Sequence, residues 1–161
     1  MATKTTNLSH AFADVKKKIE QTKNALPKVI ANQAQNYFVM SWRNQGFDGN
    51  RWQEVKRRIP DTDEYKYPIK KGLARRTRPI LIGKTGRLRR KVANSVVLAN
   101  WNMIKLLVDL PYAAAHNEGT DKIPKREFMG QTAELTRMQR QRIDSFFDQV
   151  WDINRSNVSN K

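Results

Sequence analysis

The residues best suited to chemistry are few and scattered. His116 stands two places before Glu118, His10 is the only other histidine in 161 residues, and there is no cysteine. One imidazole beside one carboxylate falls short of the three or four ligands a zinc site needs. Without thiols, disulfides and thiolate metal sites are excluded. Asp61, Asp63 and Glu64 lie close together, but in a polar stretch where carboxylates stay solvated and not tuned for acid–base work. Gly83-Lys84-Thr85 resembles part of a phosphate-binding loop, yet the P-loop pattern needs a glycine five residues before Gly83, and that position is Arg78. No serine occupies a nucleophile elbow and no glycine-rich dinucleotide fingerprint occurs. The expectation is a protein that is not an enzyme, with no catalytic residue, metal ligand or cofactor, in which His116 hydrogen-bonds locally in a tight turn.

Positive charge, by contrast, is abundant. Thirty-one Lys and Arg against 15 Asp and Glu give a formal net charge of +16. Such an excess draws the chain toward something acidic: nucleic acid, an anionic membrane or an acidic protein surface. From Lys66 to Lys91 there are eleven Lys or Arg and no Asp or Glu. Self-repulsion along that run predicts a long basic loop or extended arm over residues 53–78. Lys66, Lys70, Lys71, Arg75, Arg76, Arg78, Lys84, Arg87, Arg89 and Arg90 are the candidate contacts to a partner or to nucleic acid. Tyr65, Tyr67 and Leu73 interleave with them but are too few for a base-stacking platform.

The elements that must position these groups follow from periodicity and punctuation. The length suits a single domain spanning 1–161, with 1–7 and 154–161 as flexible tails. Over 8–44, Leu8, Phe12, Val15 and Ile19, then Leu26, Ile30, Ala34 and Tyr37, repeat at helical steps, with Thr22 and Lys23 interrupting the stripe. Asn7 or Ser9 are possible caps, and Pro27 either kinks this helix or opens a second one capped by Asn24. Gly46 is placed to close the helix in the left-handed conformation, and Asp48-Gly49 to turn the chain between Phe47 and Trp52. Leu88 and Val92 face inward from a short helix running from Thr85 toward Ser95. Val96–Trp101 and Met103–Leu110 read as an antiparallel hairpin turning near Asn100–Asn102. One or two helical turns from Tyr112 close at Gly119. Thr132 caps a C-terminal helix reaching about Trp151. The fold class is therefore α+β: a long N-terminal helical region, a small antiparallel sheet and a C-terminal helix around a turn-rich centre. No window approaches the roughly 18 apolar residues of a membrane span, and Met1–Asn7 lacks the apolar run of a secretory signal. The expected setting is a cytoplasm, or a particle assembled there, with no membrane partner.

Four blocks stand out: Phe47-Asp-Gly-Asn-Arg-Trp52, Ile80-Leu-Ile-Gly-Lys-Thr85-Gly86-Arg-Leu88, Tyr112-Ala-Ala-Ala-His116-Asn-Glu-Gly119 and Ile123-Pro124-Lys-Arg126-Glu-Phe128-Met-Gly130. Their order and spacing resemble the tailed-phage virion morphogenesis proteins of the phage Mu type, also called tail completion proteins. The likeness covers about 38–130. On the family's pattern, Trp52 falls in the aromatic–glycine turn, and Ile82, Thr85, Gly86 and Leu88 on apolar-x-x-Thr-Gly-x-Leu. Tyr112, Ala113, His116 and Gly119 fall on Tyr-Ala-x-x-His-x-x-Gly, and Pro124, Arg126, Phe128 and Gly130 on Pro-x-Arg-x-Phe-x-Gly. The resemblance implies turns and packing positions at these sites, with no catalytic role. The chain departs from the pattern in its long, highly charged 53–78 segment and at Asn117-Glu118.

What the resemblance implies in function is a structural virion protein at the head–tail junction, assembled in the host cytoplasm. It would form a homo-oligomeric cyclic ring, as connector, neck or tail-completion protein, between the portal or connector proteins and the tail. The basic arm would then dock on an acidic face of a neighbouring ring, so deleting Lys66–Arg78 would abolish docking and leave only modest DNA affinity. Alternatively, a basic lumen contacts genomic DNA. The competing class is a basic nucleic-acid-binding protein that contacts the DNA or RNA backbone; charge supports it, but it gives no reason for the four blocks.

Overall fold

The computed structural model describes residues 3–68 and 76–159. The architecture is α+β. Helix α1 (Thr3–Asn44) leads into the two-residue strands β1 (Gly46–Phe47) and β2 (Asn50–Arg51), a 3-10 turn at Lys56–Arg58 and the short helix α2 (Asp63–Lys66). Helix α3 (Arg87–Val92), strands β3 (Val96–Ala99) and β4 (Ile104–Leu106), helix α4 (Ala113–Glu118) and helix α5 (Ala133–Ser159) follow. The expected single sheet is two separate antiparallel hairpins, β1–β2 and β3–β4. The chain groups into two compact units of interleaved segments, one drawn from 1–33, 96–106 and 133–161 and the other from 34–95 and 107–132.

In the first unit, α1 continues through Pro27 without a second start, so Asn24 caps nothing. It begins at Thr3, which places Asn7 and Ser9 inside the helix and most of the expected N-terminal tail in it too. The apolar stripe also runs differently. Phe12 is 67% exposed and Ile19 is exposed, whereas Thr22 is buried and lines up at four-residue steps with Leu26 and Ile30. A threonine interior to a long helix can return its hydroxyl to its own backbone, so it joins the stripe and does not break it. Hairpin β3–β4 pairs Val96 with Leu106 and Ala99 with Ile104, with a bulge between Val96 and Leu98. The Asn100 side chain accepts from the Asn102 and Met103 amides to close its turn. Helix α5 begins directly after Thr132, as expected, and runs on to Ser159, well past Trp151 and into the expected C-terminal tail. Arg137 clasps Glu134 in its first turn with two bonds of 2.6 and 2.9 Å. That bonding holds the Glu134 carboxyl below the usual range.

The second unit is built on aromatic packing and tight turns. Phe38, Trp42, Phe47, Trp52, Ile80, Leu88, Val92 and Phe128 are buried. Trp42 packs edge-on to Trp52 at 5.7 Å and lies 5.3 Å from Phe128. Residues Asp48 (φ 48°) and Gly49 (φ 81°) both sit in the left-handed region, the signature of a type I′ two-residue turn, so Asp48-Gly49 closes β1–β2 as its sequence requires. Gly46 does not end α1. The left-handed residue is Gln45 (φ 49°), and Gly46 begins β1. A side chain at Gly46 would collide with the Asn50 carbonyl and lie 2.9 Å from Arg51 Cα, so the glycine serves the close pairing of the hairpin. Gln45 takes the closing role because its side chain is bonded at both ends, Nε2 to the Trp42 carbonyl at 2.7 Å and Oε1 from the Ile80 amide at 2.7 Å. Helix α3 follows the left-handed Gly86 and buries Leu88 and Val92, as their spacing predicts; it ends at Val92, three residues short of Ser95. Strand β4 stops at Leu106, before Pro111, although the Leu107 amide still bonds the Ser95 carbonyl at 2.7 Å.

Candidate functional site

All four sequence blocks lie in the second unit; the first, third and fourth are bonded to one another, and the second is held by Trp42 and Gln45, whose side chains bond the Leu81 carbonyl and the Ile80 amide. The Trp52 indole donates to the Glu127 carbonyl at 2.6 Å, and Arg126 Nε donates to the Gln53 carbonyl at 3.1 Å. The Arg126 amide donates to the His116 carbonyl at 2.8 Å. Asn117 clamps the last block three times: Oδ1 accepts from the Phe128 and Met129 amides, and Nδ2 donates to the Met129 carbonyl. At the turns, Gly86 and Gly119 take positive φ, and a Cβ on Gly130 would lie 2.8 Å from the Glu127 carboxylate and 3.7 Å from the Phe47 ring. Trp52, Leu88, Arg126 and Phe128 are buried, Pro124 is half-buried, and Thr85 and Tyr112 are exposed, Tyr112 standing edge-on to His116. Gln45, Asn117 and Arg58 were missed as organising residues. Their partners are main-chain groups, which leave no trace in residue type.

His116 departs from expectation. Its main chain is bonded on both sides, but its buried Nδ1 has no hydrogen-bond partner. The local anchor that its motif suggests belongs to the neighbouring Asn117 side chain. Burial, and then the positive charge of Arg126 beside it, hold the His116 imidazole below its ordinary pKa. Arg126 is itself lowered by burial, against which the Glu54 carboxylate acts. The folded chain therefore binds a proton at His116 less readily than the unfolded chain does. That contribution to stability is complete above an unfolded pKa of about 6.5 and is lost as the pH falls below it. Denaturant unfolding between pH 7.5 and 5 should show wild type losing more stability on acidification than His116→Gln. Parallel pH profiles would contradict this account.

Of the candidate basic residues, those described fall in separate parts of the second unit. Lys70, Lys71 and Arg75 lie outside the described residues. Lys66, in α2, reaches Asp61 at 3.4 Å. Arg76 is turned back onto Tyr65, its guanidinium 4.0 Å above the ring and bonded to the Tyr65 carbonyl at 3.2 Å. The main chain of 76–78 is gathered by Arg58, which bonds the Arg76, Thr77 and Arg78 carbonyls while reaching Glu54 at 3.3 Å; Arg57 also bonds the Arg78 carbonyl. The end of the segment is thus laced to its beginning, and deleting Lys66–Arg78 would also strip Arg57 and Arg58 of these acceptors. Lys84, Arg87, Arg89 and Arg90 belong to the turn before α3 and to α3 itself. Their side chains are exposed and none pairs with a carboxylate among the described residues.

The first unit carries a surface of opposite character. On the β3–β4 hairpin, Val97, Leu98, Trp101, Met103 and Ile104 are all exposed, Trp101 by 52% and Met103 by 54%. The hairpin tip borders a cavity of about 330 Å³ lined by Leu26, Ile30, Trp101, Met103, Ile104 and Ile143. Lys105 is the sole charged residue from 96 to 106.

Among the described residues, no group of three or more His, Asp or Glu is placed to hold a metal ion, and no helix is long and apolar enough to cross a membrane. No protein-family model, curated protein or solved structure matches the chain.

Proposed function

We propose that this chain is a structural protein of a tailed-phage virion, forming a homo-oligomeric ring at the head–tail junction as a connector, neck or tail-completion protein. The observation that carries the reading is the gathering of the four blocks within one compact unit, where Trp52–Glu127, Arg126–His116 and Asn117–Met129 join the first, third and fourth and Gln45 and Trp42 hold the second. In this reading those residues shape a scaffold, and the surfaces beyond it do the work of assembly.

The β3–β4 hairpin is where copies would meet. Exposed apolar patches of this kind mark interaction surfaces, and among the described residues each strand has one ladder partner and one open edge. Chains of +16 repel one another, so contact is least costly on a segment with a single charge. A ring closes from such units when a head-to-tail contact repeats through the right rotation. Purified protein at tens of micromolar should give closed rings in negative-stain images and a matching native mass. The rings should persist or tighten at 0.5 M salt, because screening weakens the mutual repulsion and leaves apolar contacts in place. Trp101→Glu should return them to monomers. Monomers throughout would overturn the ring, and rings indifferent to Trp101→Glu would move the interface elsewhere.

A further inference from the structure

We infer that α3 and the turn before it form a sequence-independent contact for the phosphate backbone of a nucleic-acid duplex. Five cations fall within eight residues: Lys84, Arg87, Arg89, Arg90 and Lys91. All five side chains are exposed, and none has a carboxylate partner among the described residues. Several exposed cations elsewhere do find carboxylates, namely Lys23–Glu20, Lys56–Glu64, Lys125–Glu127 and Arg137–Glu134, but none in this cluster does among the described residues. The α3 cluster is therefore a concentration of uncompensated charge on one short element.

That charge is also held in place. Leu88 and Val92, 4% and 0% exposed, fix the helix to its unit through one face. With 3.6 residues per turn, Arg90 projects opposite that buried pair and Arg87 and Arg89 flank it. The group is thus presented on a fixed element. Among the described residues of the basic run, Lys66 and Arg76 are engaged within the chain, by Asp61 and by Tyr65, whereas no ion pair engages the cations of α3.

Two features favour phosphate over an acidic protein face. Three of the five cations are arginines, whose planar guanidinium pairs bidentately with phosphate oxygens. The exposed face of α3 carries no apolar side chain, since Leu88 and Val92 both point inward. The centres of protein–protein interfaces are apolar and depleted of charge, whereas nucleic-acid interfaces are polar and strongly positive. The absence of any aromatic residue between Lys84 and Lys91 removes base stacking, so the contact reads the backbone and not the sequence. This inference does not depend on the ring reading and is tested separately from it.

The experiment is fluorescence anisotropy of the full chain on two 30-base-pair DNA duplexes of unrelated sequence, titrated from 50 to 300 mM salt, with polyglutamate as a competing polyanion. Wild type should bind both duplexes alike, with affinity falling steeply as salt rises. Arg87→Gln/Arg89→Gln/Arg90→Gln should weaken binding roughly tenfold or more at 50 mM salt and flatten the log–log salt slope by about one per residue removed. Arg87→Lys/Arg89→Lys/Arg90→Lys, with the charge kept, should retain most of the slope, which a merely structural role for these side chains would not predict. No duplex binding at 50 mM salt, or binding untouched by the glutamine variant, would overturn the proposal. So would polyglutamate binding as tightly as duplex and depending on the same three residues, which would assign α3 to an acidic protein surface. Ring formation by the glutamine variant is scored separately, so either reading can fail while the other stands.

Discussion

Replacing Phe128 with alanine should cost about 3–5 kcal/mol, the usual range for removing a buried phenyl ring. For a chain of this length that corresponds to a fall in melting temperature of roughly 6–20 °C. Phe128 is 1% exposed, the most deeply buried aromatic side chain in the structure's described core, and its ring rests 5.3 Å from that of Trp42. The main chain there is equally committed: its amide donates to Asn117 Oδ1 at 3.0 Å. Its carbonyl accepts from the Ser41 hydroxyl at 3.5 Å. Collapse around the lost ring is therefore resisted from both sides, which puts the cost at the upper part of the range. Phe128→Leu keeps most of the volume and should cost clearly less. Thermal and denaturant unfolding followed by tryptophan fluorescence would report both, because Trp42 is the ring's neighbour. A loss below about 1 kcal/mol for the alanine variant would mean that Phe128 does not hold this unit together.

The parts of this architecture that were legible in advance are those written in side-chain periodicity or turn chemistry. Leu88 and Val92, four apart, were enough to place α3 and its buried face. Asp48-Gly49 was enough for its turn, and the apolar run 96–110 broken by Asn100–Asn102 gave the β3–β4 hairpin. Misreadings arose where a main-chain partner decides the outcome. Gly46 carries the residue type of a helix terminator, but Gln45 takes that conformation because its amide side chain bonds both Trp42 and Ile80. Thr22 reads as a gap in the α1 stripe, yet it is buried. The end of α5 was set too early because Asn154–Lys161 is polar, and polarity does not itself stop a helix. Of the candidate site, the count of basic residues was legible, but their division was not. Arg58 joins the ends of the 53–78 segment by bonding carbonyl oxygens, which any residue possesses, so no pattern in the chain announces it. His116 was visible as a motif residue, while Asn117, which makes the clamp, stood at a position where the chain departs from the family's pattern.

The second large effect is expected at Gly119. Replacing it with alanine should destabilise the fold by more than the same change at Gly83, though both glycines have positive φ. Gly83 (φ 58°) lies in the ordinary left-handed region, and a Cβ there meets nothing within 4 Å. Alanine at that site carries only the left-handed penalty of about 1–2 kcal/mol. Gly119 has φ 82° and ψ 166°, a region that only glycine occupies readily, with a strain cost on the order of 1–3 kcal/mol. Its Cβ would also lie 2.9 Å from the Lys125 backbone nitrogen and 3.1 Å from Lys125 Cα. Those are main-chain atoms and cannot swing aside as the tip of a side chain could. Relief would require opening the loop that Thr120 and Ile123 close with bonds of 2.8 and 3.2 Å. It would pull on the adjoining Arg126–His116 bond as well. The turn therefore couples two of the four blocks, and damage at Gly119 should spread to Arg126 and Phe128. Amide hydrogen exchange separates the cases: Gly119→Ala should speed exchange at the Arg126, Phe128 and Met129 amides, whereas Gly83→Ala should leave them protected. Equal losses of stability at the two glycines, with no change at those amides, would show that the turn can relax and that the blocks are not locked through it.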